Sequence, residues 1–162
     1  MCSIVIIAGE APGPLVATFR ALMPGVLAGI VSDVAVVAPE PEPLAEICDG
    51  AGARLVQRGE DALREGRGNW VVILEAGARL QEGWPDAVLG HVLAGSGPAA
   101  FEAPRPASLW RRLFGAVGRP LRAGFLVERE TALAIIRTTS LERLPVGRAA
   151  ARLPVGLLPP AE

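Results

Sequence analysis

The chain has 162 residues, of which 51% are hydrophobic, and a formal net charge of −1 at pH 7. This length suits one domain with a real core, and the charge gives no overall attraction to nucleic acid. All 16 basic residues are arginine, tyrosine is absent and His91 is the single histidine. This composition excludes a Schiff-base or P-loop lysine, a tyrosine general acid and a multi-histidine metal site.

The N-terminus has neither a basic region nor an apolar stretch long enough for a signal peptide, since the run from Ile4 to Ala8 is short. No apolar run approaches the roughly 18 residues that a membrane span requires. Cys2 and Cys48 lie far apart without C-x-x-C spacing, so neither a disulfide framework nor a zinc site is expected. We expect a soluble, cytoplasmic protein.

Apolar runs and segments of helical spacing alternate through the first half of the chain. Because the first run shows no alternation of polar residues, it predicts a strand covered on both faces. The predicted strands are residues 3–8, 34–38, 54–56 and 70–74, and the predicted helices are residues 15–23, 44–49, 60–65 and 85–93. Pro24-Gly25 is expected to end the first helix. This alternation predicts an open α/β sheet.

The pattern is looser beyond residue 95. Residues 99–101 and 124–127 are predicted strands, and residues 107–117, 128–137 and 141–151 are predicted helices. The tail contains Pro154, Pro159 and Pro160 and is expected to be an arm. We therefore predict one domain over residues 1–152 and a proline-rich C-terminal arm over residues 153–162.

The predicted strand ends suggest where a ligand would bind. Ligands of open α/β sheets bind beyond the carboxyl ends of the strands. Here these ends are Ala8-Gly9-Glu10, Ala38-Pro39-Glu40 and Glu75-Ala76-Gly77, each with one acidic residue. We predict that they lie around one pocket.

The joint spacing of several segments resembles the family 2 glycosyltransferases, and most closely a bacterial subgroup of short, single-domain members. These segments include Leu22-Met23-Pro24-Gly25, Gly68-Asn69-Trp70 with its following apolar run, Gly83-Trp84 and His91. The resemblance covers roughly residues 3–142. It implies a single GT-A (Rossmann-like) domain with a mostly parallel sheet, helices on both faces and a nucleotide-sugar ligand.

The positions that would bind the donor depart from the family pattern. The nucleotide-binding aspartate after the second strand corresponds to Ala38, and the asparagine of the first loop corresponds to Glu10. The resemblance places Ala8, Glu10, Ala38 and Glu40 around the nucleotide. Losing polar groups from such a site weakens recognition.

The resemblance also implies Mg²⁺ or Mn²⁺ at an Asp-x-Asp motif, which corresponds here to Glu75-Ala76-Gly77. Only Glu75 remains as a candidate metal ligand. Magnesium can be held by one or two carboxylates together with substrate phosphates, but we expect no metal cofactor here. Arg79 is a candidate replacement for the metal, because its guanidinium matches the geometry of phosphate.

The acceptor side departs as well. A Glu-Asp pair that supplies the family's general base resembles Glu142-Arg143, which leaves Glu142 as the candidate base. The family's Gly-Asp-Gln-Gly motif is replaced by residues 119–124. Between Glu102 and Glu128 the chain has no acid and five arginines, namely Arg105, Arg111, Arg112, Arg119 and Arg122. Such a segment could contact an anionic membrane surface, or it could be an amphipathic helix with solvated arginines.

Three functions remain open from the sequence. The first is a glycosyltransferase-like protein with weak or lost activity, that is, a pseudoenzyme. The second is a non-catalytic module that binds a partner protein or a membrane through residues 105–125. The third is an active transferase without a metal, with Glu142 as base and arginines on the diphosphate.

Overall fold

A computed structural model describes residues 1–102, 124–138, 140–143 and 150–158 of the chain. The helix predicted over residues 107–117 and the five arginines of the 105–122 segment lie outside these residues. No helix in the described ranges combines the length and hydrophobicity that crossing a bilayer requires.

Eight strands and five helices make up the described structure. The strands are β1 (Cys2–Ile7), β2 (Val31–Val37), β3 (Arg54–Val56), β4 (Trp70–Glu75), β5 (Arg79–Leu80), β6 (Ala99–Glu102), β7 (Phe125–Glu128) and β8 (Ala151–Leu158). The helices are α1 (Pro12–Leu27), α2 (Ala45–Ala51), α3 (Gly59–Arg64), α4 (Trp84–Leu93) and α5 (Arg129–Ile136). Short 3₁₀ turns cover Glu42–Leu44 and Leu141–Arg143.

The strands form one sheet in the order β3-β2-β1-β4-β7-β6-β8-β5. The first four strands are mutually parallel, whereas β7 runs antiparallel to both β4 and β6. β8 is parallel to β6 and antiparallel to β5. The predicted α/β architecture is confirmed as a mixed sheet in which four of the seven described strand pairs are parallel, three of them in the N-terminal half.

Helices cover both faces of the sheet, as predicted. On one face the side chains of α1, α2 and α4 pack on the strands, for example Leu15, Cys48 and Trp84. On the other face α3 and α5 do the same through Leu63 and Ala132. Burial of β1 on both sides explains why its sequence is a continuous apolar run.

The prediction that Pro24-Gly25 ends the first helix is wrong, because α1 continues to Leu27. Gly25 is buried and lies directly under Trp84: a Cβ there would be 2.2 Å from the indole Cη2. The chain leaves the helix through Ala28 and Gly29, and the φ of Gly29 is +69°. The N–H groups of Gly29 and Ile30 donate to the carbonyls of Val26 and Gly25, both at 3.0 Å, which is the Schellman pattern of helix termination.

The tail was expected to be an arm from residue 153, but residues up to Leu158 belong to the sheet. β8 alternates in burial, with Leu153, Val155 and Leu157 inside. Its pairing with β6 jumps from Phe101–Leu153 to Glu102–Gly156. Pro154 therefore lies in a bulge, where its missing N–H interrupts no ladder bond. The helix predicted over residues 141–151 is also corrected, since Leu141–Arg143 is a 3₁₀ turn and β8 begins at Ala151.

A polar network joins β1, β2 and β3 at the amino ends of the first two strands. The carboxylate of Asp33 accepts hydrogen bonds from the Ser3 hydroxyl at 2.5 Å, the Arg67 backbone N–H at 3.0 Å and the Arg54 guanidinium at 3.0 Å. Burial alone would raise the pKa of Asp33, but these bonds and one from Ser32 outweigh it and hold that pKa below its usual value. The network thus favours an ionised Asp33 in the folded state.

Candidate functional site

A pocket of about 260 Å³ lies beyond the carboxyl ends of β1 and β4. Its walls are Ile7, Ala8, Gly9, Glu10, Ala11, Pro14, Glu75 and Ala76. The structure therefore brings together three of the residues singled out in the sequence: Ala8, Glu10 and Glu75. The pairing of Ile7 with Glu75 across the parallel strands sets these two chain ends side by side.

A tight turn follows β4 and forms one wall of this pocket. The N–H of Ala78 donates to the carbonyl of Glu75 at 3.0 Å, and the N–H of Ala76 donates to Ile7 at 2.8 Å. Gly77 is the third residue of the turn and has a φ of +96°. This is the conformation that a type II turn requires at its third position, and it favours glycine. The backbone here thus accommodates Gly77 better than a residue with a carboxylate side chain.

Thr18 of α1 forms two hydrogen bonds with this turn. Its side chain has no exposed surface. Its hydroxyl accepts a hydrogen bond from the Gly77 N–H at 2.8 Å and donates to the Ala78 carbonyl at 3.0 Å. Sequence analysis missed Thr18, although a signal existed: it lies at helical spacing between the apolar residues Leu15 and Leu22, and a hydroxyl on a buried face needs a partner.

The described walls of the pocket carry negative charge. Glu10 and Glu75 contribute two carboxylates, and none of the wall residues in the described part of the chain is basic. α1 begins beside the pocket with Pro12 and Pro14 in its first turn. Because proline has no N–H, two of the four donors that a helix N-terminus normally offers to an anion are missing.

The other predicted donor-site residues lie outside this pocket. Ala38 is fully buried, and its N–H donates to the carbonyl of Val56 at 3.0 Å. Glu40 is exposed beyond the end of β2. Arg79 is exposed on β5, where it pairs with Leu158 of β8. None of these three side chains lines the 260 Å³ pocket.

A second pocket of about 310 Å³ opens at the ends of β2 and β3, and an arginine, Arg58, is among its walls. Its walls are Val37, Gln57, Arg58, Gly59, Glu60, Ile136, Ser140 and Leu141. Arg58 is paired with Glu60 at 2.9 Å. Glu60 also pairs with Arg64, at 2.5 Å, so these charges are mostly satisfied among themselves.

The acceptor-side predictions cannot be placed. The backbone of Glu142 is part of the 3₁₀ turn, but its side chain is not described. The five arginines lie wholly outside the described residues: Arg105, Arg111, Arg112, Arg119 and Arg122. The predicted base and the predicted membrane-binding segment remain predictions.

The described residues do not form a ready metal site. No group of three or more His, Cys, Asp or Glu side chains that could hold a metal ion occurs in the described ranges. The pocket supplies two carboxylates, Glu10 and Glu75, and Gly77 adds no third ligand. Two carboxylates are fewer than the six ligands of an octahedral site, so Mg²⁺ or Mn²⁺ here would need water or substrate phosphates as its further ligands.

Comparison with solved structures shows the GT-A fold. No protein-family model matches the chain, and no curated protein sequence is detectably similar to it. Glucosyl-3-phosphoglycerate synthase from Mycobacterium tuberculosis, in complex with Mn²⁺, UDP and glucosyl-3-phosphoglycerate, is 19% identical with a TM-score of 0.58 over 100% of this chain and 72% of that one. The same enzyme with Mg²⁺ and UDP is 17% identical with a TM-score of 0.62, again over 100% of this chain and 72% of that one.

A second enzyme gives the same result. Mannosyl-3-phosphoglycerate synthase from Rubrobacter xylanophilus is 18% identical with a TM-score of 0.62, over 100% of this chain and 67% of that one. The fold implied by the resemblance to glycosyltransferases is therefore confirmed. At these identities the comparison shows the fold of this chain. The UDP and metal ions named above were bound to those enzymes.

Proposed function

We propose that this chain is a glycosyltransferase-like protein with weak or lost transferase activity, and that its nucleotide-sugar pocket is degenerate. The fold is that of enzymes whose crystals hold UDP with Mn²⁺ or Mg²⁺. The observation that carries the proposal is the turn after β4. Gly77 replaces the second carboxylate of the family motif in a backbone conformation that favours glycine.

The electrostatics of the pocket support the same conclusion. A nucleoside diphosphate brings negative charge, and a transferase must neutralise that charge as the sugar departs. Here the pocket walls carry Glu10 and Glu75, and the first turn of α1 lacks two N–H donors. Like charges in a partly enclosed site repel each other, so the pocket disfavours a diphosphate.

Calorimetric titration with UDP and UDP-glucose, with and without Mn²⁺, tests this proposal. We expect a dissociation constant weaker than about 1 mM, which corresponds to roughly −4 kcal/mol, and no improvement with Mn²⁺. Release of UDP from UDP-glucose should stay at the rate measured without protein.

Matched variants separate the possible outcomes. Glu75→Gln removes the pocket carboxylate, and Glu82→Gln changes an exposed glutamate outside the pocket. Mn²⁺-dependent binding that disappears in Glu75→Gln and survives in Glu82→Gln would contradict the proposal. Metal-independent binding that is lost in Arg79→Ala would favour the third function, an active transferase that uses arginine in place of the metal.

A further inference from the structure

The turn after β4 contains three consecutive backbone N–H groups, and each has a partner inside the protein. The N–H of Ala76 donates to Ile7, that of Gly77 to the Thr18 hydroxyl and that of Ala78 to Glu75. The turn therefore keeps no free N–H donor for a ligand. What it presents to the pocket is the side chain of Glu75.

Two of these three bonds are local or lie within the sheet, whereas the third comes from a helix. Ala76 continues the parallel pairing of β4 with β1, and the Ala78–Glu75 bond closes the turn itself. Among the hydrogen bonds of the described residues, those of the Thr18 hydroxyl connect the turn to α1, one accepted from Gly77 and one donated to Ala78. A buried group that satisfies both a donor and an acceptor is costly to remove.

We propose that Thr18 is a positioning residue, whose hydroxyl fixes the turn that presents Glu75 to the pocket. The inference deepens the proposed function, since it concerns the same pocket. Its test uses no ligand, however, so tight binding of UDP would contradict the proposed function alone. An unchanged turn in a Thr18 variant would contradict only the role of Thr18.

Thr18→Val keeps the shape of the side chain and removes the hydroxyl, which leaves the Gly77 N–H without an acceptor. We expect amide exchange at Gly77, followed by NMR, to accelerate about tenfold to a hundredfold, the range that an unsatisfied buried donor implies. Exchange at Ile73, in the middle of β4, should accelerate much less. The NMR signals of the Glu75 side chain should shift. Thr18→Ser, which keeps the hydroxyl, should restore both properties to nearly their original values.

Thr138→Val is the matched control, because Thr138 is exposed and its hydroxyl donates to the carbonyl of the nearby Ile135. This variant should change neither the amide exchange rate of Gly77 nor the NMR signals of the Glu75 side chain. If Thr18→Val does not fold, Thr18→Ala gives the same comparison with a small cavity in place of a trapped methyl group. The role of Thr18 is refuted if Gly77 and Ile73 accelerate by equal factors, or if Thr18→Ser fails to restore the slow exchange.

Discussion

The two halves of the sheet are assembled in different ways. Strands β1 to β4 are all parallel and are joined along the chain by crossovers that contain α1, α2 and α3. Strands β5 to β8 combine parallel and antiparallel pairs, and β5 pairs with β8 from the far end of the chain. The described walls of the candidate pocket all come from the first half, and the chain passes into the second half just after the pocket, between Glu75 at the end of β4 and Arg79 at the start of β5. The first half thus forms the described walls of the pocket. In the second half, β8 pairs with β5, the strand that follows the turn after β4.

This difference shows which contacts each half depends on. In the first half all strand partners lie within residues 2–75, and the helices between the strands cover the sheet. In the second half, the Gln81 N–H donates to the carbonyl of Gly156 at 3.0 Å, next to the pairs of Arg79 and Leu80 with β8. The three predictions below test whether the halves are equally integral to the fold.

The largest expected effect is in β8. Leu157 is fully buried, whereas the adjacent Leu158 is 37% exposed. Leu157→Ala should lower the free energy of unfolding by about 2–5 kcal/mol, because it leaves a cavity in the core. Leu158→Ala should lower the free energy of unfolding much less, and Ile6→Ala in β1 should lower it as much as Leu157→Ala does. Urea denaturation measures all three. Equal, small costs at residues 157 and 158 would show that β8 is an appendage.

The next effect concerns the contact between α1 of the first half and Trp84 at the start of α4. Gly25→Ala would place its Cβ 2.2 Å from the indole ring and should destabilise the protein by about 1–3 kcal/mol through overpacking. Gly90→Ala, in α4 with nothing within 4 Å of the added Cβ, should stabilise it by about 0.4–1 kcal/mol. Thermal unfolding gives both values. A neutral Gly25→Ala would mean that the halves pack loosely there.

The smallest effect lies within the first half, at the Asp33 network. Because the pKa of Asp33 is lowered in the folded state, its ionisation stabilises the protein above the unfolded-state pKa, near 3.9. That contribution is lost as the pH falls through the folded-state pKa. Asp33→Asn should cost about 1 kcal/mol at pH 7 and progressively less below pH 4.

Unfolding in urea at several pH values measures this dependence. The exposed Asp49→Asn is the matched control, and it should change neither the stability at pH 7 nor the shape of the acid limb. A constant difference between Asp33→Asn and the original protein down to pH 2 would show that the Asp33 charge contributes nothing.

Much of the first half could be predicted from the sequence because its strands are buried on both sides. The runs of β1 and β4 are apolar except for Ser3 and Glu75, and their predicted bounds lie within a residue of the observed ones. The end of α1 could not be read in the same way. Pro24 indicates a break locally, but the packing of Gly25 under Trp84, far along the chain, extends the helix.

The second half was harder to predict because its signals are short and depend on distant partners. β8 contains an alternating Leu153-Val155-Leu157 pattern, which indicates a half-buried strand, but Pro154 concealed it. At the candidate site, the grouping of Ala8, Glu10 and Glu75 followed from strand order. The hydrogen bonds between Thr18 and the turn after β4 could not be predicted from strand order, because α1 meets this turn only in the folded chain.

The lengths of the outermost strands have a further consequence for the molecule in solution. In the described part of the sheet, one edge is the three-residue β3 and the other is the two-residue β5, whereas the six-residue strands β1 and β4 lie inside. A sheet grows into an aggregate when a neighbouring chain pairs with a long, unprotected edge. Because β3 pairs with only three residues of β2 and β5 with only two of β8, the outer sides of residues 31–34 and 151–155 have no strand partner in the described part of the sheet, and these are the segments where another chain would pair.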